Sequence, residues 1–362
     1  MFSNLPFSYM FLSVMSMGTL FSISSIHWLG IWAGLEINLI GFLPMLVYQK
    51  SVSESESAVK YFIIQALGSS LLMFGSLMTY SSSFTWEIYN ETSILGILGF
   101  VMMTSGLCIK MGLFPFHYWL PSVMAGLSWI SCMLLATWQK IAPLFLILCL
   151  LELNQSYWLV MTLCLASVGS SLVGGLGGMN QTQIRSLLAY SSIGHLGWIV
   201  FAAIHSEWVM KTYFGIYVLI SLCIFVSLWY TDYSGMMKNI SNLKKYSFMY
   251  LSVMLLLFSL GGLPPFLGFV SKWFVILVST FNSLMPFLIV LILGSLMSLF
   301  YYLSLFFSMS LSNFKSNEMM KMYLKENLLV TMIILLNMSG GILILMNNMF
   351  NQLYALAIFY KS

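Results

Sequence analysis

Eleven stretches of mostly apolar residues run along the 362-residue chain, near 5–26, 28–48, 60–80, 93–122, 128–150, 156–176, 184–205, 209–231, 246–281, 284–310 and 326–348. Each reaches or exceeds the roughly 20 residues that a helix needs to cross hydrocarbon. The runs are continuous rather than alternating, so helices are expected and a membrane β-barrel is not. Charge decides where such helices live. Only 7% of the residues are charged and 60% are hydrophobic, against roughly 25% charged in an average soluble domain. So few charges cannot cover a water-facing surface, which excludes a cytosolic enzyme, a secreted disulfide scaffold and a disordered chain. The expectation is an all-α polytopic membrane protein with about 11 transmembrane helices in a single transmembrane domain over residues 1–362.

Other classes leave no trace. Arg185 is the sole arginine and there is no basic stripe, so no nucleic-acid partner is expected. Cys108, Cys132, Cys149, Cys164 and Cys223 lie in apolar stretches without metal-ligand spacing. No GxGxxG follows a strand, so neither a metal nor a nucleotide, flavin or iron–sulfur cofactor is expected on this chain. The opening MFSNLPFSYM has no basic n-region, and the first apolar stretch is expected to be a retained span.

Two stretches are too long for one uninterrupted crossing. The fourth carries Gly112-Leu113-Phe114-Pro115 and the ninth carries Leu260-Gly261-Gly262-Leu263-Pro264-Pro265, so both are expected to be broken helices. Loop charge supports counting each as one span. Eleven crossings put Lys50, Lys60, Arg185, Lys238, Lys244, Lys245, Lys315, Lys321 and Lys325 on one side, and Lys211 and Lys361 with Glu87, Glu91, Glu152 and Glu207 on the other. That asymmetry places the N-terminus on the inner side and the C-terminus on the outer.

The same count leaves Glu36, Lys110, Lys140 and Lys272 inside spans. A charge at the centre of a membrane helix costs about 2.5–3.5 kcal/mol on insertion scales. Static ion pairing would be a sufficient reason to keep one pair, but three lysines cannot all pair with one glutamate. The alternative is a chain of protonatable groups. Desolvation works against an ammonium and a neighbouring carboxylate works for it, so such a group can load or release a proton when its partner moves. An arginine could not, and none of the four positions is arginine.

Each lysine is associated with a helix defect. Pro115 strips the carbonyl of Met111 of its helical partner beside Lys110, and Pro143 does the same to Gln139 beside Lys140. Pro264 and Pro265 free the carbonyls of Leu260 and Gly261 ahead of Lys272. Irregular backbone at membrane depth is tolerated where protein or a water-lined cavity satisfies it, and paired broken helices are the pattern of inverted-repeat transporters. His195, near the middle of the seventh span, can join such a relay, and His117, just after Pro115, is a secondary candidate.

Six segments carry a resemblance. Trp32-Ala33-Gly34-Leu35-Glu36-Ile37-Asn38, Glu56-Ser57-Ala58-Val59-Lys60-Tyr61-Phe62, Lys110-Met111-Gly112-Leu113-Phe114-Pro115-Phe116-His117-Tyr118-Trp119, Thr137-Trp138-Gln139-Lys140-Ile141-Ala142-Pro143, Gly177-Gly178-Met179-Asn180-Gln181-Thr182-Gln183-Ile184-Arg185 and Leu260 to Phe269 stand in order along the chain. Together they resemble the NADH dehydrogenase subunit 2 family, the antiporter-like membrane-arm subunits of respiratory complex I, in the short animal mitochondrial form. The resemblance implies a proton-translocating subunit with antiporter-like inverted repeats, divided as two leading spans (1–59), a first half (60–231) and a second half (232–362). It implies that Glu36 and Lys110 form an input pair, Lys140 is the central lysine and Lys272 the distal one, with His195 between them. NADH, FMN, iron–sulfur clusters and ubiquinone would belong to other subunits. Its partners would be the other core and accessory subunits of the membrane arm and lipids of the mitochondrial inner membrane, including cardiolipin, with the N-terminus facing the matrix. Ser271 stands where the family carries a proline before the distal lysine, and Ser186 where it carries a basic residue. Alternative readings are a stand-alone cation/proton antiporter and a structural membrane scaffold.

Overall fold

The computed structural model describes residues 7–47, 51–86, 94–153, 156–233, 247–280 and 284–314, together with Asn337 and Ser339. Every element among them is helical. In order they are α1 (Ser8–Ser24), α2 (Trp28–Val47), α3 (Val52–Ser83), α4 (Ile94–Met111), α5 (Trp119–Gly126), α6 (Trp129–Ala136), a 3₁₀ turn (Trp138–Lys140), α7 (Ile141–Leu153), α8 (Tyr157–Met179), α9 (Ile184–His205), α10 (Glu207–Tyr233), α11 (Ser247–Gly261), α12 (Leu267–Ser279) and α13 (Met285–Phe314). Among the described residues, seven segments are long and apolar enough to cross a membrane, counting α6 to α7 as one. Shorter apolar helices occupy the first, fourth and ninth expected spans. The eleventh, 326–348, lies outside the described residues except at Asn337 and Ser339. So do Lys50, Lys238, Lys244, Lys245, Lys315, Lys321, Lys325, Lys361, Glu87 and Glu91, on which the loop-charge argument rests.

Both expected breaks are present, and they are built alike. α4 stops at Met111 and α11 at Gly261. The next residues, Gly112 and Gly262, take φ of +77° and +84°, a left-handed conformation that a side chain would strain. The N–H of Gly112 donates to the Ile109 carbonyl at 3.2 Å and that of Leu113 to Cys108 at 3.0 Å. In the second break Gly262 donates to Ser259 at 3.0 Å and Leu263 to Phe258 at 3.4 Å. This pair of returning bonds is the Schellman arrangement that satisfies the last carbonyls of a helix. The prolines that follow cannot supply an N–H to resume it.

The expectation of two broken helices meets a third interruption. Between α6 and α7 the chain passes through the 3₁₀ turn that ends at Lys140. Pro143 does not kink a continuous helix there. It sits in the first turn of α7, where an N–H has no intrahelical acceptor in any case. On the other side of the turn, Thr137 donates both its N–H (3.0 Å) and its Oγ1–H (2.7 Å) to the Met133 carbonyl, closing α6. α12 runs unbroken from Leu267 to Ser279 through Ser271, whose hydroxyl is bonded back to Gly268.

The buried apolar residues separate into two clusters stacked along the helices. On α2 one cluster takes Ile31 and Leu35 and the other Phe42 and Leu46. The changeover recurs between Ala136 and Ala142, between Ile193 and Leu196, and between Leu267 and Val275. Asn38, Gln139, Lys140, His195 and Lys272 all fall in those gaps, as does Glu36. These six residues therefore lie where one apolar cluster gives way to the other, whereas Lys110 lies among α4 residues of a single cluster, between Cys108 and Met111.

Candidate functional site

The first station is the pair on α2 and α4. Lys110 Nζ lies 3.9 Å from Glu36 Oε1, with the lysine side chain 4% exposed and the glutamate 25%. Oε1 is itself buried and accepts no hydrogen bond, so the contact is Coulombic rather than a close bonded pair. Lys110 belongs to the last turn of α4, the end at which the helix dipole favours a cation. That turn is finished by side chains: Gln65 Nε2 donates to the Lys110 carbonyl at 3.3 Å and Trp119 Nε1 to the Ile109 carbonyl at 3.1 Å.

Lys140 is the second station and has a different kind of partner. Its ammonium donates to Tyr217 Oη at 3.3 Å and lies 5.2 Å from the centre of the same ring. Tyr217 in turn donates to the carbonyl of Ala136, the last residue of α6, at 3.4 Å. A hydroxyl and a backbone carbonyl therefore hold the ends of the interruption together while the lysine, 2% exposed, points between them.

His195 and Lys272 form the third. The His195 ring stands 5.4 Å from the Tyr217 ring, and its Nδ1 meets Tyr213 Oη at 3.0 Å. Lys272 reaches back across the second break and donates to the Gly261 carbonyl at 2.9 Å. That is one of the two carbonyls the prolines were expected to free. His195 and Lys272 also line a common cavity with Ser191, Ser295 and Ser298. Its volume of about 20 Å³ holds about one water molecule.

His117 lies in the first break: its Nδ1 meets the Pro115 carbonyl at 3.2 Å and its ring packs on Phe114 and Tyr118. Among the described residues no group of three or more His, Cys, Asp or Glu is placed to hold a metal ion.

Residues 25–298 match the family described as NADH:quinone oxidoreductase/Mrp antiporter, TM. The chain belongs to that family. Proteins named NADH-ubiquinone oxidoreductase chain 2 are its relatives at higher identity. The one from Anopheles gambiae is 41% identical over 320 residues, covering 88% of this chain and 89% of its own length. The one from Lumbricus terrestris is 38% identical over 302 residues, covering 82% and 85%. A subunit of the archaeal membrane-bound sulfane sulfur reductase aligns with a TM-score of 0.82 at 20% identity, over 92% of this chain and 72% of that one. A chain of respiratory complex I from Thermus thermophilus aligns with a TM-score of 0.76 at 23% identity, over 93% and 76%. At those identities the likeness is one of fold. The region matched to the NADH:quinone oxidoreductase/Mrp antiporter family contains all five groups from Glu36 to Lys272.

Several side chains at these stations escaped the reading of the sequence. Asn38 Nδ2 donates to Gln139 Oε1 at 2.8 Å, and Gln139 Nε2 returns a bond to Asn38 Oδ1 at 3.3 Å. Tyr61 adds a longer bond to the same Gln139 oxygen, at 3.5 Å. These amides join the helix of Glu36 to the turn of Lys140. Tyr213 and Tyr217 stand four apart on α10, hence on one face; a pair of phenols at that spacing in an apolar span was the available signal.

Proposed function

We propose that this chain is a membrane-arm subunit of NADH-ubiquinone oxidoreductase that carries protons across the mitochondrial inner membrane. The observation that supports this most is a set of three lysines, Lys110 in the last turn of α4 beside Glu36, and Lys140 and Lys272 with His195 where two apolar cores meet. A purely structural ion pair would need only the first of them. Protons enter from the matrix side at Glu36 and Lys110, which stand 3.9 Å apart. They pass Lys140, whose ammonium is held by neutral groups, then His195, and leave at Lys272 toward the opposite face. Water in the small cavity bridges the last two. Electron transfer from NADH through flavin and iron–sulfur clusters to ubiquinone belongs to other subunits and supplies the energy. The other membrane-arm core and accessory subunits, and inner-membrane lipids including cardiolipin, surround the chain, with its N-terminus in the matrix. A stand-alone cation/proton antiporter is the weaker reading, because the Mrp likeness is at 16% identity while the oxidoreductase chain reaches 41%.

Lys140→Met in the assembled complex, reconstituted in vesicles, decides the matter. Pumping per NADH oxidised is expected to fall at least about tenfold with assembly intact, the scale of removing a protonatable group from a transfer step. Normal pumping in an assembled mutant overturns the relay.

A further inference from the structure

The small cavity beside Lys272 has two neighbours that the relay has not used. α13 packs against α8, α9 and α11, and its Tyr301 and Tyr302 line the cavity together with Lys272 and His195. Both side chains are deeply buried, at 2% and 1% exposure, with ring centres 4.5 Å apart. Glycines of α8 make room for them. A Cβ on Gly178 would come within 2.6 Å of the Tyr301 ring, and one on Gly175 within 2.8 Å of the Gly294 carbonyl on α13. With no Cβ at either position, α13 can close on α8 with its phenols turned inward.

The hydroxyls around the cavity differ in what they do with their protons. Ser171, Ser191, Ser295 and Ser298 each donate to a carbonyl three residues back on their own helix, at 2.7–2.8 Å. The tyrosines do not. The Tyr302 hydroxyl faces those of Tyr301 and Ser191, yet neither phenol oxygen is in hydrogen-bonding geometry with any described group. Buried hydroxyls in that state are rare, because each has lost water and gained no partner. Lys272 shows the complementary feature. An ammonium has three N–H donors, and Lys272 gives one to the Gly261 carbonyl and makes no other hydrogen bond or ion pair among the described residues. Phenols and ammonium line one space of about 20 Å³, room for about one water, which needs two to four polar partners.

We propose that Tyr301 and Tyr302 are positioning residues of the proton path: their hydroxyls hold the cavity water against Lys272, where it accepts the proton that the ammonium releases. The phenols keep their own protons, and the lysine is left neutral as the water passes the proton on. The inference rests on the relay reading above, since without proton release at Lys272 the water has nothing to accept.

The test compares three forms of the assembled complex in vesicles: unaltered, Lys272→Met, and the double variant Tyr301→Phe with Tyr302→Phe, which keeps both rings. Pumping is followed in ordinary and in heavy water, against uncoupled NADH oxidation by the same sample. The double variant is expected to pump about fivefold more slowly, the scale of losing a positioning hydrogen bond. Its solvent isotope effect on pumping is expected to rise, as proton transfer becomes rate-limiting; altered packing alone would not move that ratio. Undiminished pumping in the double variant beside a stalled Lys272→Met overturns the tyrosine assignment and leaves the relay standing. A slower rate with an unchanged isotope effect does the same. Normal pumping in Lys272→Met overturns both. Where the double variant does not assemble, a map of the unaltered complex that resolves waters decides. A water bonded to Lys272 and to a tyrosine hydroxyl is expected there, and hydroxyls bonded only to protein overturn the proposal.

Discussion

The two helix breaks share one backbone design and hold their lysines in opposite ways. At both, a left-handed glycine and the leucine after it return hydrogen bonds to the helix just ended. Lys110 precedes its break and faces the carboxylate of Glu36 at 3.9 Å. Lys272 follows its break and folds back onto the carbonyl of Gly261 at 2.9 Å. One ammonium is held by a charge on another helix, the other by the dipole of an unpaired carbonyl from its own broken span. The fold thus fixes the interruption and varies what stabilises the cation. A carbonyl cannot give up or receive a proton, so of the two breaks only the first holds its lysine against a group able to exchange one.

Removing the charge should break this contrast most severely. Glu36→Gln leaves Lys110 without its counter-ion, at a stability cost of about 2 kcal/mol, below the 3–5 typical of a fully buried pair because Glu36 is a quarter exposed. Pumping by reconstituted complex, followed with a pH-sensitive dye, is expected to fall at least about tenfold. Unchanged pumping would mean that the carboxylate is not what distinguishes the two breaks. The next largest effect separates the glycines. Gly112→Ala and Gly262→Ala each force a side chain into the left-handed region, at about 1–2 kcal/mol. The new Cβ meets Leu120 Cδ1 at the first and Lys272 Nζ at the second, both at 2.9 Å. Both variants should lower the thermal midpoint of the complex, but only Gly262→Ala should also slow pumping. Equal pumping in the two would erase the distinction. The smallest change is expected from Tyr217→Phe, which keeps the ring beside Lys140 and removes a hydroxyl worth about 0.5–1.5 kcal/mol. A two- to threefold drop in initial pumping rate fits a positioning bond of about that energy; a loss as deep as that of Glu36→Gln would make the hydroxyl part of the proton path.

The breaks were legible because glycine and proline act locally. A left-handed residue and a missing N–H end a helix whatever surrounds it, so the residues around Gly112 and Gly262 announce themselves. The interruption at Lys140 was only half legible. Pro143 pointed to the carbonyl of Gln139, but the 3₁₀ turn also depends on Thr137 closing α6 and Tyr217 holding Ala136. The reach of Lys272 to Gly261 was not legible, since an orphaned carbonyl can be read from sequence but not which side chain will fill it. Asn38 and Gln139, 101 residues apart, look like two ordinary amides until packing sets them face to face. The stacking of two separate apolar cores above and below Lys140 and His195 had no signature in composition.

The amide clasp between Asn38 and Gln139 has a mechanical consequence. Asn38 is two residues from Glu36 and Gln139 is the immediate neighbour of Lys140, and the clasp is doubly bonded and buried. Any sliding or rotation of α2 therefore drags the Lys140 turn with it, as a crank turns a shaft, before either side chain has to change its own torsions.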